Sequence, residues 1–310
     1  MEHAVKRKKL IVVLGPTASG KTATAIALAR RYRTEIVSAD SRQFYKELKI
    51  GTASPTIDEL IAAPHHFIGH LSIYDYYNAS RFESDAMEKL KDIFIKNDVA
   101  IMTGGSGLYI DAVINGIDEL PDPTPELRRE LKRLLETKGI GALQEKLLQY
   151  DPEYYQTVDL KNPKRLLRAL EVSVTAGKPY SELRVKSTGK RFFEAVFVGL
   201  ECERSILNDR ICRRVDQMLD AGLAEEAMQF FHLRDLNALN TVGYKELYEW
   251  KDGKISFEQV VENIKTNTRR YAKRQMTWFR KNKAIKWFPH DQIDMIFHFC
   301  DQMLEGTLRE

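Results

Sequence analysis

The stretch Gly15-Pro16-Thr17-Ala18-Ser19-Gly20-Lys21-Thr22 constrains this chain more than any other, because it meets the pattern G-x-x-x-x-G-K-[ST] without a substitution. An apolar β-type run, Leu10–Leu14, precedes it and a helix-forming run, Thr22–Arg31, follows it, so strand, turn and helix stand in the order a phosphate site needs. The glycines let successive N–H groups and a helix N-terminus converge on one anion, Lys21 adds a full positive charge, and the Thr22 hydroxyl can hold Mg²⁺. The motif does not say which phosphorylated molecule is bound.

The chain downstream has the rhythm of an open α/β sheet. Glu35–Ser38 reads as a second strand that delivers Ala39-Asp40-Ser41-Arg42-Gln43 to the carboxyl edge, where such sheets bind ligands. Asp40 can serve there as a general base, as a water-mediated Mg²⁺ ligand, or as the cap of the turn that follows. His65, His66 and His70 resemble a metal cluster only superficially, since Pro64 ahead of an apolar stretch predicts a strand in which adjacent histidines point to opposite faces. Asn78-Ala79-Ser80 caps a helix through about Lys96. The strand Val99–Met102 then runs into a second glycine-rich corner, Thr103-Gly104-Gly105-Ser106-Gly107. That strand lacks the terminal Asp of an ordinary P-loop ATPase, which argues against nucleotide hydrolysis.

Leu120–Pro125 breaks this rhythm and opens a predominantly helical stretch. Thr124 and Pro125 start a helix that Gly139 ends. Asn162 and Pro163 start another, which carries Lys164, Arg165 and Arg168 on one face and stops at Gly177 and Pro179. That face reads as a solvated surface or a polyanion contact. Phe192–Leu200 is expected to return to the sheet, and Arg204–Ala221 to form a long helix with Arg210, Arg213 and Arg214. Lys265–Lys286 holds nine Lys and Arg residues and no acidic one. On a helix Val261, Ile264, Tyr271 and Trp278 would make an apolar face, with Arg270, Lys273, Arg274 and Lys281 on another side, free to follow a polyanion.

Composition sets the remaining bounds. A chain of 310 residues with 43% hydrophobic content can build one large domain or two modest ones. No apolar run approaches the roughly eighteen residues a bilayer requires, so a cytoplasmic location without membrane partners is expected. Cys202, Cys212 and Cys300 are too few and too scattered for a disulfide framework or a Cys-based zinc site. The net charge of +4 names no partner, and Lys6-Arg7-Lys8-Lys9 reads as a solvated flank.

From Gly15 to Arg280 the sequence resembles the bacterial-type tRNA dimethylallyltransferases. The motifs that carry the likeness are GPTASGKT (15–22), SADSRQFY (38–45), IGTA (50–53), PHH (64–66), GGSGLY (104–109), RLLRALEV (165–172), VGYKEL (242–247) and TRRYAKRQMTWFR (268–280). The family usually has Thr at Ser106, which keeps the hydroxyl, and an apolar residue at Arg42, which leaves the role of Arg42 open. The resemblance implies an α/β fold, a P-loop NTPase-like parallel sheet flanked by helices built from residues 1–120 and 192–310. A mostly helical insertion, residues 121–191, would clasp the tRNA anticodon stem. It further implies transfer of a dimethylallyl group from dimethylallyl diphosphate to N6 of the adenosine next to the anticodon, in tRNAs reading codons that begin with U.

By the same resemblance, Gly15 to Thr22 hold the diphosphate, with Thr22 on Mg²⁺. Asp40 takes the N6 proton, Ser106 lies beside the reacting amine, and Lys21 and Arg214 meet the diphosphate. Asp40 with Ser41, Arg42 and Gln43, together with Ser106, Arg128 and Lys164-Arg165-Leu166-Leu167-Arg168, line the tRNA side. Asn240-Thr241-Val242-Gly243-Tyr244-Lys245 and Lys273, Arg274 and Arg280 complete it. A monomer is expected. Three other readings share parts of this pattern: an adenylate prenyltransferase, a small-molecule kinase, and a non-enzymatic RNA-binding module. The first has little use for the insertion or the basic helix, and the last leaves Gly15–Thr22 and Asp40 idle.

Overall fold

The structure, a computed structural model, describes residues 7–184 and 190–305; Lys6 and positions 185–189 of the expected insertion lie outside it. Strands β1 (Lys8–Leu14), β2 (Ile36–Ser38), β3 (His65–His66), β4 (Val99–Thr103), β5 (Phe193–Glu201) and β6 (Lys286–Pro289) form one sheet in the order β3-β2-β4-β1-β5-β6. Every pairing is parallel. The helices in chain order are α1 (Lys21–Tyr32), α2 (Ile57–Ala62), α3 (Ala79–Lys96), α4 (Gly107–Asn115), α5 (Pro125–Tyr150), α6 (Pro152–Thr157), α7 (Pro163–Ala176), α8 (Tyr180–Leu183), α9 (Arg204–Asp220), α10 (Leu223–Gln229), α11 (Tyr244–Lys251), α12 (Phe257–Phe279) and α13 (Ile293–Glu305).

β1 is apolar on both sides because helices cover both sides, as parallel sheets require. Leu10, Val12 and Leu14 pack with Phe82, Leu90 and Ile93 of α3, whereas Ile11 and Val13 pack with Ala25 and Leu28 of α1 and Ile296 of α13. The basic flank is not simply solvated. Lys8 and Lys9 belong to β1, where Lys8 pairs with Asp98 at 3.0 Å and the buried Lys9 with Glu194 at 2.8 Å.

Two compact units result, residues 1–114 with 190–310, and residues 115–189. The second has its own core, in which Leu131, Leu143 and Leu147 of α5 meet Leu166, Ala169 and Leu170 of α7. Its helices start where the sequence places caps: Thr124 accepts from Leu127 N, and Asn162 from Arg165 N. Gly139 ends the first helical stretch as expected: with φ 76° and ψ -178° it leaves the helical path, and a second helix follows at once, so Pro125–Tyr150 is two helices joined across a kink.

A third core in the first unit joins α9 to α12, and Glu226 organises it. This nearly buried carboxylate accepts the N–H groups of Lys49, Ile50 and Gly51 at 2.9–3.0 Å and the Tyr244 hydroxyl at 2.6 Å. A Cβ on Gly51 would stand 2.5 Å from the Tyr244 ring, so only glycine fits the approach. Nearby, Glu246 accepts from Gly243 N and from Asn267 Nδ2, which fastens the start of α11 to α12. Because three backbone donors and one hydroxyl would lose their acceptor, Glu226→Ala should destabilise the protein by about 3 kcal/mol or more. Urea unfolding measures this, and a loss below about 1 kcal/mol would contradict the assignment.

Candidate active site

The phosphate loop and the second glycine-rich corner meet because their strands are neighbours. β1 and β4 pair with Val13 opposite Thr103, so Gly15–Gly20 and Gly104–Ser106 leave the sheet at the same level. β2 pairs with β4 on its other side, and Ala39 N donates to Thr103 O at 2.7 Å, which brings Asp40 to the same edge. Gly104 is required by that contact, since a Cβ there would lie 2.4 Å from the Ala39 carbonyl group.

Lys21 and Asp40 are half-buried by area, yet their charged ends are enclosed. Burial lowers the Lys21 ammonium to about 8, against the opposing pull of Asp40, while Arg214 lowers it further. Its Nζ donates to Pro16 O at 2.7 Å. Burial likewise pushes the Asp40 carboxyl above the usual carboxylate range; the Arg42 N–H at 3.1 Å from Oδ1 and the charges of Lys21, Arg42 and Arg214 hold it down. The Arg214 guanidinium, lowered by burial, reaches the loop with a 3.3 Å bond to Thr17 Oγ1. Ser106 Oγ accepts from Ser41 N and lies 3.0 Å from Ser41 Oγ. Lys21, Asp40, Arg214 and the Ser106 corner thus form one cluster of donors, a cation pair and a carboxylate.

The loop does not aim every N–H outward. Thr17 N donates to Gln275 Oε1 and Ser19 N to Pro16 O, while the Ser19 hydroxyl is fully buried without a hydrogen-bond partner. The sequence reading did not single out Gln275, and it placed Tyr271 on a packing face; burial and Asp40 raise the Tyr271 hydroxyl above its ordinary value. The signal for Gln275 was its phase on α12, four residues before Phe279, both buried. The buried face of α12 is Val260, Ile264, Ala272, Gln275 and Phe279, so the expected stripe through Val261, Tyr271 and Trp278 is displaced. Trp278 is 40% exposed and donates from Nε1 to Asp111 Oδ2 at 2.9 Å.

The residues expected on the tRNA side are distributed unevenly. Lys273 of α12 and Arg280, the residue just past its end, line an open cavity of about 870 Å³ with Pro16, Arg269 and Arg270. Arg274, one position on, is about a quarter-turn away and stacks on Tyr271 at 5.8 Å. Arg42 spends its guanidinium on the carbonyls of Asn237 and Ala238, at 2.7 and 3.3 Å, and Gln43 donates to Ala53 O at 3.0 Å. Asn240 and Lys245 are exposed, with Thr241 and Val242 half-buried. Gly243 and the fully enclosed Tyr244 are not surface residues, so they shape the loop instead of touching a ligand. In the helical unit Lys164 and Arg165 are exposed, Leu167 is half-buried and Leu166 is core, which removes Leu166 as a contact. Arg128 and Arg168 flank Glu171 at 3.6 and 4.0 Å, and burial raises that carboxyl against their pull.

His65 Nδ1 meets Ala63 O at 2.8 Å, and His66 Nε2 pairs with Glu35 at 2.6 Å. Among the described residues no group of three His, Cys, Asp or Glu side chains could hold a metal ion, and no helix is long and apolar enough to cross a membrane.

Comparison with known proteins gives a consistent result. The family model described as IPP transferase matches residues 43–282. A tRNA dimethylallyltransferase of Christiangramia forsetii is 54% identical over 91% of this chain and 94% of its own length. One of Phocaeicola vulgatus is 46% identical over 94% and 97%. The crystal structure of a full-length tRNA isopentenylpyrophosphate transferase from Bacillus halodurans superposes with a TM-score of 0.72 at 34% identity, covering 98% of this chain and 99% of the other. A eukaryotic dimethylallyltransferase acting on tRNA reaches 0.77 at 27% identity, over 96% and 78%. By sequence and by fold, the chain belongs to the IPP transferase family.

Proposed function

We infer that this chain is a tRNA dimethylallyltransferase, which moves a dimethylallyl group from dimethylallyl diphosphate to N6 of the adenosine next to the anticodon. The observation that carries the reading is the convergence of Lys21, Arg214 and the phosphate loop with the enclosed Asp40 at one sheet edge. In the step, the N6 lone pair forms a bond to the allylic carbon, the carbon–oxygen bond breaks, and diphosphate leaves with the electron pair. The N6 proton goes to Asp40, whose raised affinity for protons suits a base. Lys21, Arg214 and loop N–H groups meet the charge that grows on the leaving diphosphate.

Mg²⁺ fits the donors present. The Thr22 hydroxyl at the start of α1 is a hard oxygen that would hold the ion, with diphosphate oxygens and water filling the rest of its shell. When bound, it supplies neutralising charge to the diphosphate. The tRNA surfaces we assign are Ser41, Arg42, Gln43 and Ser106 around the adenine, residues 240–242 with Lys245, and the cations Lys273, Arg274 and Arg280. On the helical unit, Arg128, Lys164, Arg165, Leu167 and Arg168 would grip the anticodon stem. Turning the adenine out of its stack costs a few kcal/mol, which these phosphate contacts offset. The protein acts as a monomer in the cytoplasm in this reading.

Asp40→Ala should lower kcat for prenyl transfer to unmodified tRNA by about 10²–10⁴, while tRNA binding by filter retention stays within about threefold; unchanged turnover would remove Asp40 as the base. Inorganic pyrophosphate should bind about tenfold more weakly at about pH 9 than at about pH 7, as the Lys21 ammonium loses its proton across about 8. Calorimetry on the wild type and Lys21→Met tests this, and an equal pH dependence in the variant would contradict it. Arg274→Ala should reduce the log–log salt slope of tRNA binding by about one unit. An unchanged slope would take Arg274 off the phosphates.

A further inference from the structure

Within the cationic run of α12, Gln275 is the polar side chain that turns inward. It is 5% exposed, between the exposed Arg274 and the half-buried Met276. Its Oε1 accepts from Thr17 N at 2.8 Å, and its Nε2 donates to Gly105 O at 2.9 Å. The partners fix the amide's orientation, because a backbone N–H can only donate and a carbonyl can only accept. Few long polar side chains are so fully enclosed, and this one is retained with both ends satisfied.

The two ties join the two glycine-rich corners directly. Thr17 lies in the phosphate loop and carries the Arg214 contact on its hydroxyl, and Gly105 precedes Ser106. A Cβ on Gly105 would stand 2.3 Å from Gln275 Nε2 and 3.6 Å from Asp40 Oδ2, so the amide is wedged against the corner that faces the carboxylate. Thr17 N–H is thereby committed to protein and held away from the anion. Removing the amide would free that N–H and let the loop and the corner move apart.

We propose that Gln275 is a positioning residue for prenyl transfer, fixing the distance between the diphosphate cradle and the Asp40–Ser106 corner. The proposal rests on the transferase reading. Displacement at carbon needs the leaving oxygen, the carbon and the attacking nitrogen in line, and the two ends of that line are held by the two corners that Gln275 joins. A misplacement of about 1 Å lowers such a rate by about 10²-fold.

The test compares wild type with Gln275→Met, which keeps the volume and loses both bonds, and with Gln275→Asn, which keeps an amide too short to reach both partners. Steady-state kinetics with dimethylallyl diphosphate and unmodified tRNA, pyrophosphate calorimetry and thermal melting are measured on each. In both variants kcat should fall by about 10²-fold, and the KM for dimethylallyl diphosphate and the Kd for pyrophosphate should rise by about tenfold, as for one lost hydrogen-bonded tie. The KM for tRNA should stay within about twofold of wild type, and the midpoint of melting within about 5 °C. Pyrophosphate affinity and kcat near wild type in either folded variant would overturn the proposal. So would an equal rise in both KM values with early melting, the mark of general loosening. A wild type that transfers no prenyl group but binds pyrophosphate in a Gln275-dependent way would sink the transferase reading and the positioning role with it, leaving Gln275 as a tie of the phosphate loop alone.

Discussion

The adjacency of β1 and β4 is the constraint on which the rest depends. It places two glycine-rich corners side by side at the carboxyl edge of a parallel sheet, each with backbone groups no side chain would leave accessible. β2 then adds Asp40 from the other side of β4, close enough that Ala39 must face a glycine at 104. Cation, carboxylate and phosphate loop are therefore assembled by sheet order before any helix of the second half is considered. Burial disfavours charge on Lys21, Arg214 and Asp40 at once; Asp40 offsets it for both cations, Glu59 adds to this at Arg214, and the Arg42 N–H with the charges of Lys21, Arg42 and Arg214 offsets it for Asp40.

The second half of the chain closes this edge. α9 brings Arg214 to Thr17, and α12 brings Gln275 to Thr17 and Gly105. That pair of helices shares an apolar core, and two buried carboxylates tie the elements around it. Glu226 gathers the 49–51 turn and Tyr244, and Glu246 gathers Gly243 and Asn267. Two of the sequence motifs, IGTA at 50–53 and VGYKEL at 242–247, therefore stand together because they share one acceptor, with Tyr244 as core and not as contact surface.

Much of this was legible from residue order. The phosphate loop, the caps at Asn78, Thr124 and Asn162, the strands Leu10–Leu14 and Val99–Met102, and the exposed cations of α12 follow from turn chemistry and period. What escaped it were long-range polar ties. A Gln in a basic run counts as surface until two backbone groups far along the chain are known to satisfy it, and for that reason the buried face of α12 was read about one position off. The role of Arg42 stood open in the sequence, because nothing there showed that the carbonyls of Asn237, Ala238 and Asn240 take its guanidinium. Gly139 does stop its helix; what the sequence reading left out is the second helix that follows at once and buries Leu143 and Leu147.

The central claim is that the edge around Asp40 joins an allylic diphosphate to a tRNA adenine. Its most direct test is incubation of the purified protein with radiolabelled dimethylallyl diphosphate, Mg²⁺ and an unmodified anticodon stem-loop, with AMP present as a competitor. Label on N6 of the adenosine next to the anticodon is the predicted result. Label on AMP alone, or none on an RNA that the protein still binds, would contradict it.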